Sequence, residues 1–190
     1  LNRLDFPSPF DKEVVFFDTS NSKNPFEQND GFSAMNNTEA ETISEIILPK
    51  LFDNEVNPSN IAIIAPYKSQ VANIKNHINR SSCKFKNIDV STLDSFQGKE
   101  YDIIIFSFTR SSDHSKVPGI NGKPKFSKVG FLDDARRLNV AFSRAKKKLI
   151  LIGNSKTLTD KRSHYDRIFD YTKLFKRLVE LSNKEKIGNF

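Results

Sequence analysis

Two stretches of this chain carry side chains suited to a phosphorylated ligand. Asp94–Ser–Phe–Gln–Gly–Lys–Glu100 sets amide, ammonium and carboxylate groups around a glycine, and Asp134–Ala–Arg–Arg–Leu–Asn–Val–Ala–Phe–Ser–Arg–Ala–Lys146 repeats arginine at helical spacing. In the first, Gly98 permits a tight turn and close approach of a ligand to the backbone. Gln97 offers amide donors and a carbonyl acceptor, and Glu100 can accept from ribose hydroxyls. The same residues also suit a plain polar turn before a buried strand. In the second, about 3.6 residues per turn predicts a helix on which Arg137, Ala141 and Arg144 share a stripe, with Leu138, Phe142 and Ala145 on the adjoining apolar side. Guanidinium groups bind phosphate oxygens through paired donors, and an inserted arginine stabilises charge during phosphoryl transfer. Pairing of Arg136, Arg137 and Arg144 with carboxylates such as Asp133 and Asp134 is the plainer use of these groups. The sequence has no Gly-x-x-x-x-Gly-Lys-Ser/Thr loop to cradle phosphates, so the two stretches read as half of a site.

Apolar runs supply the elements that must position them. Val14–Phe17, Asn60–Ala65, Ile88–Thr92, Asp102–Phe108 and Leu149–Ile152 read as strands. They show little polar alternation and are separated by helical patterns, one opening at Asn37 or Thr38 with Glu41 as a capping box and one following Pro66 to about Ile78. Such a pattern predicts an α/β fold, a parallel sheet covered on both faces, with ligands beyond the strands' carboxyl ends. Pro66–Gln70, Thr92–Glu100 and Arg110 then fall mainly just past those ends. Residues 1–12 read as a leading linker, 19–37 as loop and 111–128 as a flexible insertion. The segment Arg162–Asn183 places Tyr165, Ile168, Phe169, Thr172, Phe175, Leu178 and Val179 at helical spacing, a helix packed on the domain.

The 190 residues fit one domain with a small appendage, and 17 phenylalanines with no tryptophan put Phe, Ile and Leu in its core. A net charge of +7 favours an anionic partner, nucleic acid first, or reflects a lysine-rich solvated surface. Lys146–Lys148 is expected to be solvated. The single Cys83 cannot form an internal disulfide and suits packing in a reducing interior. No apolar run has membrane-spanning length and no signal-peptide pattern is present, so an intracellular protein, cytoplasmic or nuclear, is expected. A start at Leu1 without methionine suggests a piece of a longer protein. The histidines, His77, His114 and His164, are not spaced with carboxylates as in a metal site, which argues against a metal-dependent nuclease or phosphatase.

In order and spacing, these segments resemble the second RecA-like domain of superfamily 1 helicases, in the branch of the nonsense-mediated-decay helicase and senataxin. Thr92–Glu100 looks like motif V and Arg136–Lys146 like motif VI. Pro66, Tyr67 and Gln70 look like motif IV, and Phe106–Arg110 resembles a strand end that carries an arginine in this branch. Val129–Leu132 and Gly153–Asn154 also fit, and the match covers roughly residues 33–160. The resemblance implies a three-layer RecA-like domain over residues 13–160. It makes Arg144 the arginine finger toward the γ-phosphate of ATP, Glu100 the acid near the ribose and Arg137 a second phosphate or coupling contact. Gln97 would couple nucleotide state to nucleic-acid grip. Thr92, Pro66 and Tyr67 would line a single strand of RNA or DNA, with Arg110 supporting the junction. ATP and Mg2+ would be held mainly by a first RecA-like domain of the same polypeptide, and this chain alone would not hydrolyse ATP. The alternative is a degenerate module that binds nucleic acid or a protein partner without a catalytic role.

Overall fold

The computed structural model describes residues 6–30, 33–81, 85–96, 98–111, 135–160 and 172–186. The strands are β1 (Val14–Asp18), β2 (Gln28–Asp30), β3 (Ser33–Met35), β4 (Ile61–Ala65), β5 (Asp89–Thr92), β6 (Tyr101–Ser107), β7 (Ala145–Gly153) and β8 (Asn183–Lys186). The helices are α1 (Asn37–Thr42), α2 (Leu48–Asp53), α3 (Lys68–Ser81), α4 (Ala135–Phe142), α5 (Ser155–Thr159) and α6 (Thr172–Leu181), with a π-helical turn at Ile43–Ile47 joining α1 to α2. Six strands form one sheet in the order β5-β4-β6-β7-β1-β8. Every pairing within it is parallel, while β2 and β3 form a separate antiparallel hairpin. This is the expected α/β, RecA-like architecture.

The strands lack polar alternation because helices cover both faces. Val15, Phe17, Ile63, Ile105 and Ile152 point into one core with Ile43, Leu48 and Leu51 of the α1–α2 segment and Val71, Ile74 and Ile78 of α3. Their neighbours Phe16, Ile64, Ile104, Phe106 and Leu151 point the other way, against Leu138 of α4, Leu158 of α5 and Phe175 of α6. Each such burial stabilises by about 1.5–3 kcal/mol. The second core is aromatic: the Phe106 ring lies 5.1 Å from Phe108 and 5.2 Å from Phe142, both edge-on, and Phe108 lies 5.8 Å from Phe175.

Several features differ from the sequence expectation. The N-cap of α1 is Asn36, whose side chain accepts from Glu39 N at 3.1 Å, rather than Asn37 or Thr38. The β2–β3 hairpin lies within the expected loop 19–37. Of the helix expected over Arg162–Asn183, α6 occupies Thr172–Leu181, and Asn183 pairs with Val15 as the start of β8 because β1 offers it an open edge. Residues 162–171, the expected insertion beyond Ser111, Val129–Leu132, Cys83, His114 and His164 lie outside the described residues. Within the expected linker, Phe6 and Phe10 are buried in the core.

Lys148 is buried, not solvated. Its ammonium donates to Phe10 O and Lys12 O and lies 5.3 Å from the centre of the Phe6 ring. The cause is a register irregularity: Tyr101 pairs with Ala145 but Ile103 with Lys148, so β7 carries one extra residue there. Burial lowers the Lys148 pKa, against the pull of Asp11 and Glu13.

A Cβ on Gly153 would lie 2.9 Å from Phe108 Cδ2 and 3.0 Å from Phe108 Cβ, inside the aromatic cluster. Gly153→Ala is therefore expected to destabilise the domain by about 1–3 kcal/mol, read as a lower urea midpoint with an unchanged m value.

Candidate functional site

A parallel sheet has one edge of strand starts and one of strand ends. The sequence reading put the polar segments mainly beyond the strand ends; the structure divides them between the two edges.

At the edge of strand starts, Glu100 precedes β6 and Arg144 precedes β7, held side by side as Tyr101 N donates to Arg144 O at 3.2 Å. Arg144 Nη1 lies 3.5 Å from Glu100 Oε1, and Lys146 Nζ lies 3.6 Å from Glu100 Oε2. These long contacts join half-exposed groups, and such pairs contribute about 0–1 kcal/mol. They can yield to a better ligand. Arg144 Nε is buried and has no hydrogen-bond partner among the described residues. Nearby, Asp89 accepts from Lys99 Nζ at 2.8 Å and from Tyr101 OH at 2.9 Å. Burial pushes the Asp89 carboxyl up, but those two donors outweigh it and hold it below its ordinary value.

The arginine stripe does not form as expected. Helix α4 ends at Phe142, and Arg144 lies in the turn into β7, since Ala145 must already pair with Tyr101. Ala141 and Leu138 are buried against the sheet, so Ala141 belongs to the packed face. Arg137 points elsewhere, with Nη2 3.3 Å from Asp94 Oδ1. Gly98 has φ +81°, the left-handed region that favours glycine, although a Cβ there would meet nothing within 4 Å. Its glycine therefore answers to backbone conformation, not crowding. Gln97 lies outside the described residues.

At the edge of strand ends, Ala65 pairs with Thr92, which brings Pro66 and Tyr67 beside the end of β5. Thr92 Oγ1 lies 2.9 Å from Ser95 Oγ in an exposed position. Arg110 joins this edge from beyond β6: Nη1 donates to Tyr67 OH at 3.4 Å, and the guanidinium carbon lies 5.6 Å from the Tyr67 ring centre. Its Nε lies 3.0 Å from Glu27 Oε2, near enough for an ion pair though off the line of a hydrogen bond. Tyr67, Arg110 and Thr92 thus share one edge, while Glu100 and Arg144 share the other.

The AAA domain family matches residues 2–156. Relatives include the regulator of nonsense transcripts 1 homolog of Arabidopsis thaliana, 34% identical over 181 residues, covering 93% of this chain and 13% of that protein. The ATP-dependent helicase upf1 of Schizosaccharomyces pombe is 39% identical over 132 residues, covering 67% of this chain and 13% of the relative. The DNA replication ATP-dependent helicase/nuclease JHS1 of Arabidopsis thaliana is 36% identical over 148 residues, 78% of this chain and 10% of the relative. The chain belongs to the superfamily 1 helicases of this AAA domain family. It spans 10% to 13% of the length of these three relatives.

The helicase domain also contains a buried polar network that the sequence reading missed. Glu39 Oε2 accepts from Ser107 Oγ at 2.6 Å and from Thr109 N at 2.9 Å. Gln70 Nε2 donates to Ser107 Oγ at 3.0 Å and to Asn36 O at 3.2 Å, and Gln70 Oε1 accepts from Asn36 N at 2.7 Å. Glu39 Oε1 is buried without a hydrogen-bond partner among the described residues. The signal was present: Asn36-x-x-Glu39 has the same spacing as the capping box assigned slightly downstream. Thr109 has φ +68°, and a residue in that region stores on the order of 1–3 kcal/mol.

Burial raises the Glu39 pKa from 4.5 to about 8, against the hydrogen bonds from Ser107 and Thr109 and aided by Glu27. The folded state therefore binds this proton more tightly than the unfolded chain. Its contribution to stability is fully present below the unfolded value and is lost as pH rises through the folded one. Between pH 5 and 8 the wild type should lose up to about 1.4 kcal/mol per pH unit relative to Glu39→Gln. Urea denaturation of both proteins at several pH values measures the difference.

Proposed function

We propose that this helicase domain is the C-terminal motor domain of an ATP-dependent nucleic-acid helicase or translocase. In this reading residues 13–160 form the motor, and residues 161–190 follow it with α6 packed on its sheet. Residues 1–12 lead from a first RecA-like domain of the same polypeptide, with Phe6 and Phe10 buried in the motor's own core. The observation that carries this reading is Arg144, whose guanidinium leaves one buried nitrogen without an acceptor among the described residues, beside an exposed carboxylate. That donor set suits an incoming phosphate, and Glu100 beside it suits ribose hydroxyls. Arg144 supplies the finger and Glu100 the ribose contact; Gly98 shapes the loop, and Arg137 and Gln97 link nucleotide state to the strand site.

At the other edge, Pro66, Tyr67, Thr92 and Arg110 contribute to a track for single-stranded RNA or DNA. Aromatic side chains and guanidinium groups hold bases by stacking irrespective of sequence, while hydroxyls hold phosphates. Strand β6 joins the edges, with Glu100 before its first residue and Arg110 three residues past its last. Its seven residues span about 23 Å, a stiff strut between the two ligands. Among the described residues no three His, Cys, Asp or Glu side chains come together that could hold a metal, and Mg2+ is assigned to the first domain. When bound, ATP supplies the phosphoryl group whose charge Arg144 stabilises. No helix among the described residues is long and apolar enough to cross a membrane. A motor acting on nucleic acid works inside the cell, in cytoplasm or nucleus.

Arginine fingers contribute roughly 10³–10⁵ to phosphoryl-transfer rates. Arg144→Ala in the full-length protein should therefore nearly abolish ATP turnover, measured with single-stranded RNA and with single-stranded DNA. Turnover within a few-fold of wild type would favour a binding module without catalytic role.

A further inference from the structure

Two non-glycine residues among those described have a left-handed backbone, Glu55 and Thr109. Thr109 is β-branched, the residue type that conformation suits worst. Arg110 N donates to Phe108 O at 2.7 Å, closing a three-residue γ-turn around Thr109, with the positive φ of its rarer, strained form. No glycine lies in Phe108–Ser111, so the turn is imposed by its surroundings. Its position decides where Arg110 goes. Arg110 doubles back onto Tyr67 and Glu27, and Ser111 is locked there as its N–H donates to Glu27 Oε2 at 2.7 Å.

The groups that hold the turn come from α1 and its cap. Glu39 Oε2 takes both Thr109 N and Ser107 Oγ, and Asn36 Nδ2 donates to Thr109 O at 3.4 Å. Glu39 thus grips the turn at its centre and at the residue before it begins. We propose that Glu39 is a positioning residue for the nucleic-acid edge: its carboxyl holds the Thr109 turn, and the turn sets Arg110 against Tyr67. This rests on the reading of Tyr67 and Arg110 as strand-binding groups. Of the other groups packed there, α3 contributes uncharged Gln70 and β6 contributes Ser107, while the carboxylate of Glu27 is committed to Arg110 and Ser111. Glu39 therefore acts through hydrogen bonds and not as the partner of a cation.

The test uses the full-length protein and ATP turnover stimulated by a uridine or thymidine oligonucleotide. Glu39→Ala should raise the oligonucleotide concentration for half-maximal stimulation roughly tenfold, within the range for losing one base-stacking contact, while the saturated rate stays within twofold. Glu39→Gln keeps an oxygen that can accept from Thr109 N and Ser107 Oγ together, as Oε2 does, and should restore half-saturation to within about threefold of wild type. Where Glu39→Ala does not fold, Glu39→Asp, too short by one methylene to reach both donors, takes its place with the same expectation. Half-saturation unchanged in a folded Glu39→Ala or Glu39→Asp protein overturns the proposal, as does a saturated rate that falls with half-saturation unmoved. Arg110→Ala separates this failure from that of the underlying reading. If it weakens half-saturation while the Glu39 variants do not, only the positioning role fails; if Arg110→Ala has no effect, the strand-binding role of this edge fails.

Discussion

Burial of both faces of one parallel sheet constrains everything else in this molecule. Apolar residues fill both sides of β4, β6, β7 and β1, so polar chemistry can stand only at the ends of the strands. Parallel pairing then makes the two ends different. One collects the residues that precede strands, Glu100 and Arg144, and the other those that follow them, Pro66, Tyr67, Thr92 and Arg110. On the proposed assignment a nucleotide and a strand occupy one small domain without competing, because the sheet holds the two edges apart.

The two edges are built to different stiffness. Glu100 and Arg144 meet through a contact of 3.5 Å between partly exposed groups, easily given up. Behind Arg110 lies a buried network of Asn36, Glu39, Gln70, Ser107 and Thr109 that fixes a strained turn. In the proposed motor, Arg144 reaches a ligand on another domain and benefits from weak restraint, whereas Arg110 guides a strand and benefits from a fixed direction. Strand β6, sixth in the chain but third in the sheet, connects the two and is hydrogen-bonded on both sides by β4 and β7.

Much of this was legible in the sequence. The uninterrupted apolar runs gave the strands and their burial, and the ordered motifs gave the family. Chain direction at the edges was not legible, because a loop such as Leu93–Glu100 starts at one edge and finishes at the other, and its residue types do not say where along it the chain has crossed. Arg144 was placed on a helix because its spacing from Arg137 and Ala141 is helical, but pairing of Ala145 with Tyr101 ended the helix first. Lys148 sits in a run of three lysines that reads as solvated, and only the extra residue in β7 turns it inward. Glu39 belongs to the helix that the sequence predicts from Asn37 or Thr38, and its spacing from Asn36 marks it only as a capping residue. Its partners Ser107 and Thr109 are 68 and 70 residues away, a relation no local pattern encodes.

The central claim is that nucleotide and single strand occupy opposite edges of this domain. Amide hydrogen exchange in the full-length protein, with a non-hydrolysable ATP analogue alone and with a single-stranded oligonucleotide alone, tests it directly. The account predicts that the nucleotide protects Lys99–Tyr101 and Ser143–Ala145 and that the oligonucleotide protects Tyr67–Ser69, Thr92–Ser95 and Thr109–Ser111. Protection of one and the same edge by both ligands, or the reverse assignment, would contradict it.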